Sequence, residues 1–148
     1  MSRERFKLSV SVFLIIKKGN KILLLKRSNT GWMDGYYSIP AGALDGKETL
    51  MEAVIREGKE EVGIVSSEND LKLAHTMHCF THGEEWLGQF FITEIWQNEP
   101  EVKEPDKHSE IKWEDINTLP ATIIPYVKQA IENYQKNVSY SSYKDSLI

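Results

Sequence analysis

Five glutamates lie within the 23 residues from Gly42 to Ile64. They are Glu48, Glu52, Glu57, Glu60 and Glu61. Like charges three or four positions apart repel one another on a helix, and carboxylates near a helix C-terminus also oppose the helix dipole. A hard divalent cation removes both penalties, because Mg²⁺ takes oxygen ligands from carboxylates and from substrate phosphates. The alternative interpretation is a solvated acidic face with Arg56 and Lys59 as its partners.

A helix that positions these carboxylates is predicted from Thr49 to Val62, with Gly63 after it as a residue suited to end a helix. At roughly 100° per residue the helix has an apolar stripe, a solvent stripe and a separate acidic stripe. The acidic stripe holds Glu57, Glu60 and Glu61. Gly58 falls on the apolar stripe, where it predicts that another backbone packs close, since glycine is unfavourable in a helix interior.

The rest of the chain predicts six strands and a second helix. The strands are Lys7–Lys17, Ile22–Lys26, Tyr36–Ile39, Leu71–Phe80, Trp86–Trp96 and Glu110–Trp113, and the helix is Thr122–Gln135. Residues 98–109 are predicted to be a loop, and the tail 137–148, which lacks periodicity, to be frayed or packed as a loop. This order predicts an α+β or α/β sandwich in a single domain, residues 1–148.

Composition sets further bounds. The formal net charge of −4 gives no indication of nucleic-acid or membrane-surface binding. The longest apolar run, Val12 to Ile16, is too short to span a bilayer, and we recognise no secretory signal at the N-terminus. Cys79 is the single cysteine, so an internal disulfide is excluded and a reducing compartment, the cytoplasm, is expected. We interpret Cys79 as a half-buried strand thiol rather than a nucleophile.

The acidic segment resembles the Nudix box. That signature runs glycine, five residues, glutamate, seven residues, arginine, glutamate, an aliphatic residue, any residue, two glutamates, any residue, glycine and an aliphatic residue. Residues 42–64 match it, with one departure, Gly58, where an aliphatic residue is usual. Residues 36–42 also look like the family's approach to the box. The similarity to MutT-type members extends from about residue 7 to residue 135.

The resemblance implies a fold, a reaction and a set of site residues. The fold would be the Nudix α/β/α sandwich around a mixed sheet, and the reaction would be Mg²⁺- or Mn²⁺-dependent hydrolysis of a nucleoside diphosphate linked to another group. The implied metal ligands are the Gly42 carbonyl and the side chains of Glu57, Glu60 and Glu61. Glu48 and Arg56 match a pair in which the arginine orients the loop and the neighbouring carboxylates.

Four residues are candidates for substrate binding. Arg27 resembles a MutT-type arginine that contacts the nucleotide, with a plain surface cation as the alternative. Tyr36 and Phe80, like Trp32, could stack on a base, and packing is the alternative for each. The loop at residues 98–107 looks like one found in some MutT-type hydrolases, and we expect it to form one wall of the pocket.

The proton acceptor for the attacking water is expected to be Glu60 or Glu61. Some family members use a carboxylate outside the box, for which the candidates here are Glu84, Glu85, Glu94 and Glu110, each with a surface role as the alternative. A second cluster, His75, His78 and His82, is interpreted as polar strand positions rather than a zinc site.

The leading functional hypothesis is a MutT-like pyrophosphohydrolase that splits a nucleoside triphosphate into a monophosphate and pyrophosphate. The alternatives are hydrolysis of another substrate (a nucleoside diphosphate, a nucleotide sugar, ADP-ribose or an RNA 5′ end) and a catalytically silent nucleotide-binding module. The partner would be a small-molecule nucleotide, with no membrane or nucleic-acid partner. Since many relatives dimerise, a homodimer is also compatible with the resemblance.

Overall fold

The computed structural model describes residues 3–145, which form eight strands and two α-helices. The strands are β1 (Ser9–Lys18), β2 (Lys21–Arg27), β3 (Tyr37–Ser38), β4 (Ala41–Ala43), β5 (Leu71–Thr81), β6 (Glu84–Thr93), β7 (His108–Asp115) and β8 (Tyr140–Lys144), and the helices are α1 (Leu50–Val62) and α2 (Pro125–Gln135). Neither helix is long and apolar enough to cross a membrane, which holds for the described part of the chain.

The central strand β1 explains the layered architecture. Its apolar run is buried on both faces, as in strands covered by helices on each side. Val12 and Leu14 pack into the cluster that includes residues of α1, whereas Phe13 and Ile15 pack into the cluster that includes residues of α2. Strand β1 pairs in parallel with β6, and the β5–β6 and β1–β2 pairs are antiparallel. The expected α+β sandwich with a mixed sheet is therefore confirmed.

Helix α1 has strong signals at both ends. The Thr49 side chain accepts from the Glu52 backbone N–H, and the Glu52 carboxylate accepts from the Thr49 N–H. This capping box satisfies two donors that a helix start leaves free. Gly63 takes the left-handed conformation, with φ 76°, and its N–H donates to the Lys59 carbonyl. The predicted bounds and the role of Gly63 are confirmed, and Glu52 is exposed and also takes part in the cap.

Two details of the predicted packing are wrong. The space beside Gly58 is filled by side chains and not by another backbone, because a Cβ there would lie 3.1 Å from Leu14 Cδ2. The tail is also not a loop, since residues 140–144 form β8, which pairs in parallel with β5. The sequence shows no apolar alternation here, because the inward positions of this edge strand are Ser141 and Tyr143, which are only partly buried. Residues 146–148 lie outside the described residues.

Other differences concern strand limits. Strand β6 ends at Thr93, β7 begins at His108, and the short β4 pairs antiparallel with β1, with Gly42 opposite Val12. Helix α2 begins at Pro125 and not at the predicted Thr122, because proline is suited to the first turn, where its missing N–H costs no hydrogen bond; the predicted end at Gln135 is confirmed. Cys79 is fully buried, and burial raises the pKa of its thiol to about 12, in keeping with an unreactive packing role.

Candidate active site

Arg56 joins the two ends of the acidic segment. Its Nη2 donates to Glu48 Oε1 at 2.8 Å and its Nε to Glu48 Oε2 at 3.2 Å, a two-point contact. Its Nη1 donates to Glu57 Oε1 at 2.8 Å and lies 3.5 Å from Glu60 Oε2. Charge-assisted bonds of this forked kind restrict geometry strongly. The structure thus brings Glu48 and Arg56 together and orients the Glu57 side chain through them.

Gly42 and Glu57 approach each other closely. A Cβ atom at Gly42 would overlap the Glu57 carboxylate. Only glycine leaves room for that carboxylate against strand β4. Gly42 is therefore required so that the Glu57 carboxylate can approach the backbone of β4. Gly63 is required for a different reason, its left-handed backbone conformation.

Glu61 is held inside the protein. Its residue surface is only 7% exposed, and its Oε2 accepts from the Ala41 backbone N–H at 2.8 Å. Burial raises the pKa of the Glu61 carboxyl well above its usual range, and burial also raises the pKa of Glu57. Burial is the main cause of both shifts, and the nearby charge of Glu57 further raises the pKa of Glu61.

Two further residues approach this pair, and sequence reasoning missed both. Glu104 and His108 come from the loop after β6 and from the start of β7, and His108 Nε2 lies 3.6 Å from Glu61 Oε1. His108 is 7% exposed, and burial lowers its pKa. The one available sequence signal was the four-residue spacing of Glu104 and His108 in a segment expected to be a loop.

An acidic cavity of about 560 Å³ lies over these groups. Its lining includes Gly42, Glu57, Glu60, Glu61, Glu104, Asp106, Lys107, His108 and Arg27. The expectation that the loop at residues 98–107 forms one wall is confirmed for its last part. None of Glu84, Glu85, Glu94 and Glu110 is among the described residues lining it.

The four carboxylates that do not line the acidic cavity have other surroundings in the fold. Glu85 pairs with His78 at 2.6 Å, Glu94 with Lys17 at 3.1 Å, and Glu110 lies 3.6 Å from the Lys26 ammonium. Glu84 lines a second cavity.

This second cavity is aromatic and has a volume of about 380 Å³. It is lined by Phe13, Trp32, Trp86 and Tyr126, together with polar side chains that include Ser9, Ser11 and His82. Trp32 and Tyr126 are nearly parallel, at 19° with ring centroids 6.5 Å apart. Arg27, Ala41 and Gly42 line both cavities, so the two are neighbours.

The predicted substrate-binding residues differ in their positions relative to the two cavities. Arg27 lies between the cavities, where its Nε donates to the Trp32 carbonyl at 2.9 Å and its guanidinium lies 4.9 Å from the Trp32 ring. Tyr36 packs against the core cluster under α2, and Phe80 contacts His78 and Lys144. Neither aromatic ring is among the described residues that line the two cavities, whereas Trp32 is.

The other histidines do not converge on one point. His75 is buried, with its ring nitrogens 2.7 Å from the Val138 carbonyl and from Ser141 Oγ. His78 faces Glu85, and His82 Nε2 accepts from Trp32 Nε1 at 2.7 Å.

The donors around Glu61 fit a divalent cation. One ligand atom each from Glu61, Glu104 and His108 lie within 4.8 Å of one another. The His108 nitrogen placed to bind an ion with Glu61 is Nε2, at 3.6 Å from Glu61 Oε1, while its Nδ1 is buried and has no partner among the described residues. Glu57 and Glu60 add carboxylates from the same cavity. This donor set suits an ion, although it does not identify which one.

Comparison with known proteins places the chain in a family. A family model described as the NUDIX domain matches residues 5–134. An ADP-ribose pyrophosphatase of Methanocaldococcus jannaschii is 32% identical over 86% of this chain and 73% of its own length. An 8-oxo-dGTP diphosphatase of Escherichia coli is 33% identical over 66% of this chain and 74% of its own.

Solved structures agree with this assignment. The MutT NUDIX hydrolase from Burkholderia pseudomallei superimposes with a TM-score of 0.78 at 28% identity, over 86% of this chain and 98% of that one. The chain belongs to the Nudix family and is a Nudix hydrolase. The resemblance drawn from the box residues is confirmed.

Proposed function

We propose that this protein hydrolyses a phosphoanhydride bond of a nucleoside triphosphate and releases a nucleoside monophosphate and pyrophosphate. The observation that carries the proposal is the contact between an acidic cavity and an aromatic one, with Arg27, Ala41 and Gly42 common to both. A nucleotide has the same two halves, a polyanion and a flat ring system. The two cavities therefore match one substrate that extends across their shared boundary.

The acidic cavity would hold the phosphates. The Gly42 carbonyl and the carboxylates of Glu57, Glu60 and Glu61 would hold Mg²⁺ or Mn²⁺, and Arg56 would orient Glu57 through the contacts described above. A bound divalent ion supplies charge neutralisation on the phosphate oxygens and makes a water at the site more acidic. Arg27 adds a fixed positive charge at the boundary with the aromatic cavity.

In the chemical step, the oxygen of a water forms a bond to phosphorus while the anhydride P–O bond breaks. The water's proton passes to a carboxylate, and the leaving phosphate takes the electron pair of the broken bond. Glu60 and Glu61 are the candidate acceptors, since both line the cavity. The side chain of Glu60 is half exposed and free to meet a water, whereas one oxygen of Glu61 is already engaged by Ala41.

The aromatic cavity would hold the base. Trp32 and Tyr126 offer flat apolar faces for stacking, and Ser9, Ser11 and His82 offer polar atoms at the same wall. Trp32 takes the stacking role expected of Tyr36 and Phe80, because it lines the cavity and they do not.

A second candidate function is hydrolysis of ADP-ribose to AMP and ribose 5-phosphate. It is favoured by the Methanocaldococcus jannaschii relative, whose similarity extends over 86% of this chain. The same two cavities would then hold the adenosine and the diphosphate. Both reactions hydrolyse a phosphoanhydride bond. They can be distinguished by the products that they release.

Three expectations from the sequence stay predictions. We propose that the chain is a single domain, which is supported by all eight described strands joining one sheet. A cytoplasmic location is proposed because the sequence contains a single cysteine, and a homodimer is proposed because many relatives dimerise.

The test is a product-resolved screen. Purified protein with Mg²⁺ or Mn²⁺ is incubated with normal and oxidised nucleoside triphosphates, ADP-ribose, nucleotide sugars, nucleoside diphosphates and dinucleoside polyphosphates, and the products are identified by chromatography. Glu60→Gln is run beside the wild type, and Glu132→Gln, the same change on the exposed face of α2, is the matched control.

Formation of a nucleoside monophosphate and pyrophosphate, lost in Glu60→Gln and kept in Glu132→Gln, supports the proposal. AMP and ribose 5-phosphate from ADP-ribose alone would select the second candidate. Turnover of no substrate by a folded protein would contradict both and favour a binding module.

A further inference from the structure

His108 distinguishes this cation site from one made of box carboxylates alone. The ring lines the acidic cavity with a fully buried Nδ1, for which the described residues supply no hydrogen-bond partner. Its other nitrogen, Nε2, faces Glu61 Oε1 at 3.6 Å. Nε2 is therefore the ring nitrogen placed to share a cation with Glu61.

The backbone fixes Glu104 and His108 on the same side of one turn. The Glu104 carbonyl accepts from the N–H groups of Lys107 at 2.9 Å and His108 at 3.0 Å. A bond of the second kind spans four residues, as in a helical turn, so the two side chains lie next to each other. The backbone hydrogen bonds of this turn therefore place Glu104 and His108 side by side.

The same loop is tied to the end of α1. The Lys103 N–H donates to the Glu61 carbonyl at 3.2 Å, and the Glu101 N–H donates to the Val62 carbonyl at 3.0 Å. These bonds hold the turn over the helix end that carries Glu61. The three side chains are thus positioned before any ligand arrives.

Each donor has an atom available. Ala41 engages Glu61 Oε2, which leaves Oε1 directed towards His108. Glu104 Oε2 lies 3.7 Å from the largely exposed ammonium of Lys107, a weak contact that a cation can replace. Two donors bound at about 2.1 Å to one ion lie roughly 3.0–3.4 Å apart, so 3.6 Å requires only a small adjustment.

We propose that Glu61, Glu104 and His108 form a mixed nitrogen–oxygen cation site that prefers a first-row transition metal such as Mn²⁺ over Mg²⁺. Imidazole nitrogen suits transition metals, whereas Mg²⁺ prefers oxygen ligands and retains its waters. The site binds an ion without substrate, and this inference rests on the proposed function only for the use of that ion in hydrolysis.

Pulsed EPR of the Mn²⁺-loaded protein, prepared without a histidine tag, tests the proposal. Electron spin echo modulation detects a nitrogen bound directly to Mn²⁺. The variants are His108→Gln, which replaces the nitrogen donor with an oxygen, and His78→Gln, the same change at a histidine outside the cavity. Affinities for Mn²⁺ and Mg²⁺ are measured by calorimetry on the same samples.

Nitrogen modulation is expected in the wild type and in His78→Gln, and its loss is expected in His108→Gln. The affinity for Mn²⁺ should fall about tenfold in His108→Gln, while that for Mg²⁺ changes less than about threefold. Mn²⁺ binding without nitrogen modulation in the wild type, or no Mn²⁺ binding at all, overturns the proposal.

Two measurements keep the outcomes separate. If His108→Gln does not fold, wild-type protein labelled with ¹⁵N-histidine replaces it, since a bound histidine then shows the ¹⁵N coupling, and Glu104→Gln should weaken Mn²⁺ binding. An inactive protein that keeps the nitrogen coupling contradicts the proposed function alone. An active protein without that coupling contradicts the metal site alone.

Discussion

The carboxylate of Glu57 occupies the position that a side chain at Gly42 would need. The two residues are 15 positions apart, on β4 and α1, and they meet because β4 pairs with β1 beside that helix. The box glycine is therefore explained by a contact that the spacing alone does not reveal.

Gly42→Ala should remove activity while leaving the fold intact. The atoms that the new methyl group meets are at the end of a flexible glutamate side chain, so Glu57 can move away at little cost in stability. Its carboxylate then leaves the cavity, and we expect the affinity for Mn²⁺ to fall about tenfold or more. Calorimetry and the thermal unfolding midpoint measure the two effects.

Ala43→Ser, an exposed change on the same strand, is the control for Gly42→Ala. Unchanged metal affinity in Gly42→Ala would mean that Glu57 is not needed in its observed position.

The stability of the metal-free protein should fall as pH rises from about the ordinary glutamate value of 4.5. Burial raises the pKa values of Glu57 and Glu61, so the folded state binds more protons than the unfolded state above pH 4.5. The stabilisation from these groups is complete below that value and is lost as pH rises through their folded-state pKa values. Thermal unfolding in EDTA from pH 4 to 9 measures it.

Glu61→Gln should flatten this pH dependence, because the amide stays neutral at every pH. Added Mn²⁺ should also restore stability to the wild type at high pH and much less to the variant. Parallel pH profiles for the wild type and Glu61→Gln would contradict the assignment of this pH dependence to the buried Glu61 carboxyl.

Trp32→Leu should weaken substrate binding more than catalysis. The ring lines the aromatic cavity and stacks over the Arg27 guanidinium, but it is not among the residues lining the acidic cavity. Loss of one base-stacking surface predicts a KM increase of about tenfold with a smaller change in kcat. Steady-state kinetics on the substrate found by the screen measure both.

Trp96→Leu provides the matched comparison for Trp32→Leu, since Trp96 stacks on Trp113 away from both cavities. A fall in kcat at unchanged KM in Trp32→Leu would count against a base-binding role.

Ser141→Ala should destabilise the fold without affecting the cavities. Ser141 Oγ is the partner of buried His75 Nε2 at 2.7 Å and of Gln129 Nε2 at 3.1 Å. Its removal leaves a buried ring nitrogen without a partner, which costs about 1–3 kcal/mol. Urea unfolding measures the loss, and Ser142→Ala, the neighbouring serine, should change stability far less. Equal effects of the two substitutions would show that the link from β8 to His75 contributes nothing.

Much of the site was predictable because its determinants are local. Glu57, Glu60 and Glu61 share a helix face by helical geometry, Gly63 ends the helix because it adopts a positive φ, and Arg56 reaches Glu60 one turn away. Charge repulsion among the glutamates was enough to indicate a cation, and the exact spacing was enough to indicate the family.

The convergence of distant segments depended on the tertiary structure. Glu104 and His108 join Glu61 because backbone bonds tie their loop to the end of α1, and no periodicity in the sequence encodes such bonds. Tyr36 and Trp32 both pack against the core cluster, but only Trp32 also lines a cavity, and side-chain type does not distinguish these outcomes. Residues 140–144 form a strand because the backbone N–H and C=O groups at the edge of β5 pair with the backbone of this polar segment.

The sequence by itself therefore determined the helix, the carboxylates and the class of chemistry, since these follow from residue types within one or two turns. The tertiary structure decided which donors complete the cation site and which cavity adjoins it. Those features depend on contacts between segments more than 40 residues apart, such as Glu61 with His108, which form only when the sheet and its loops are assembled.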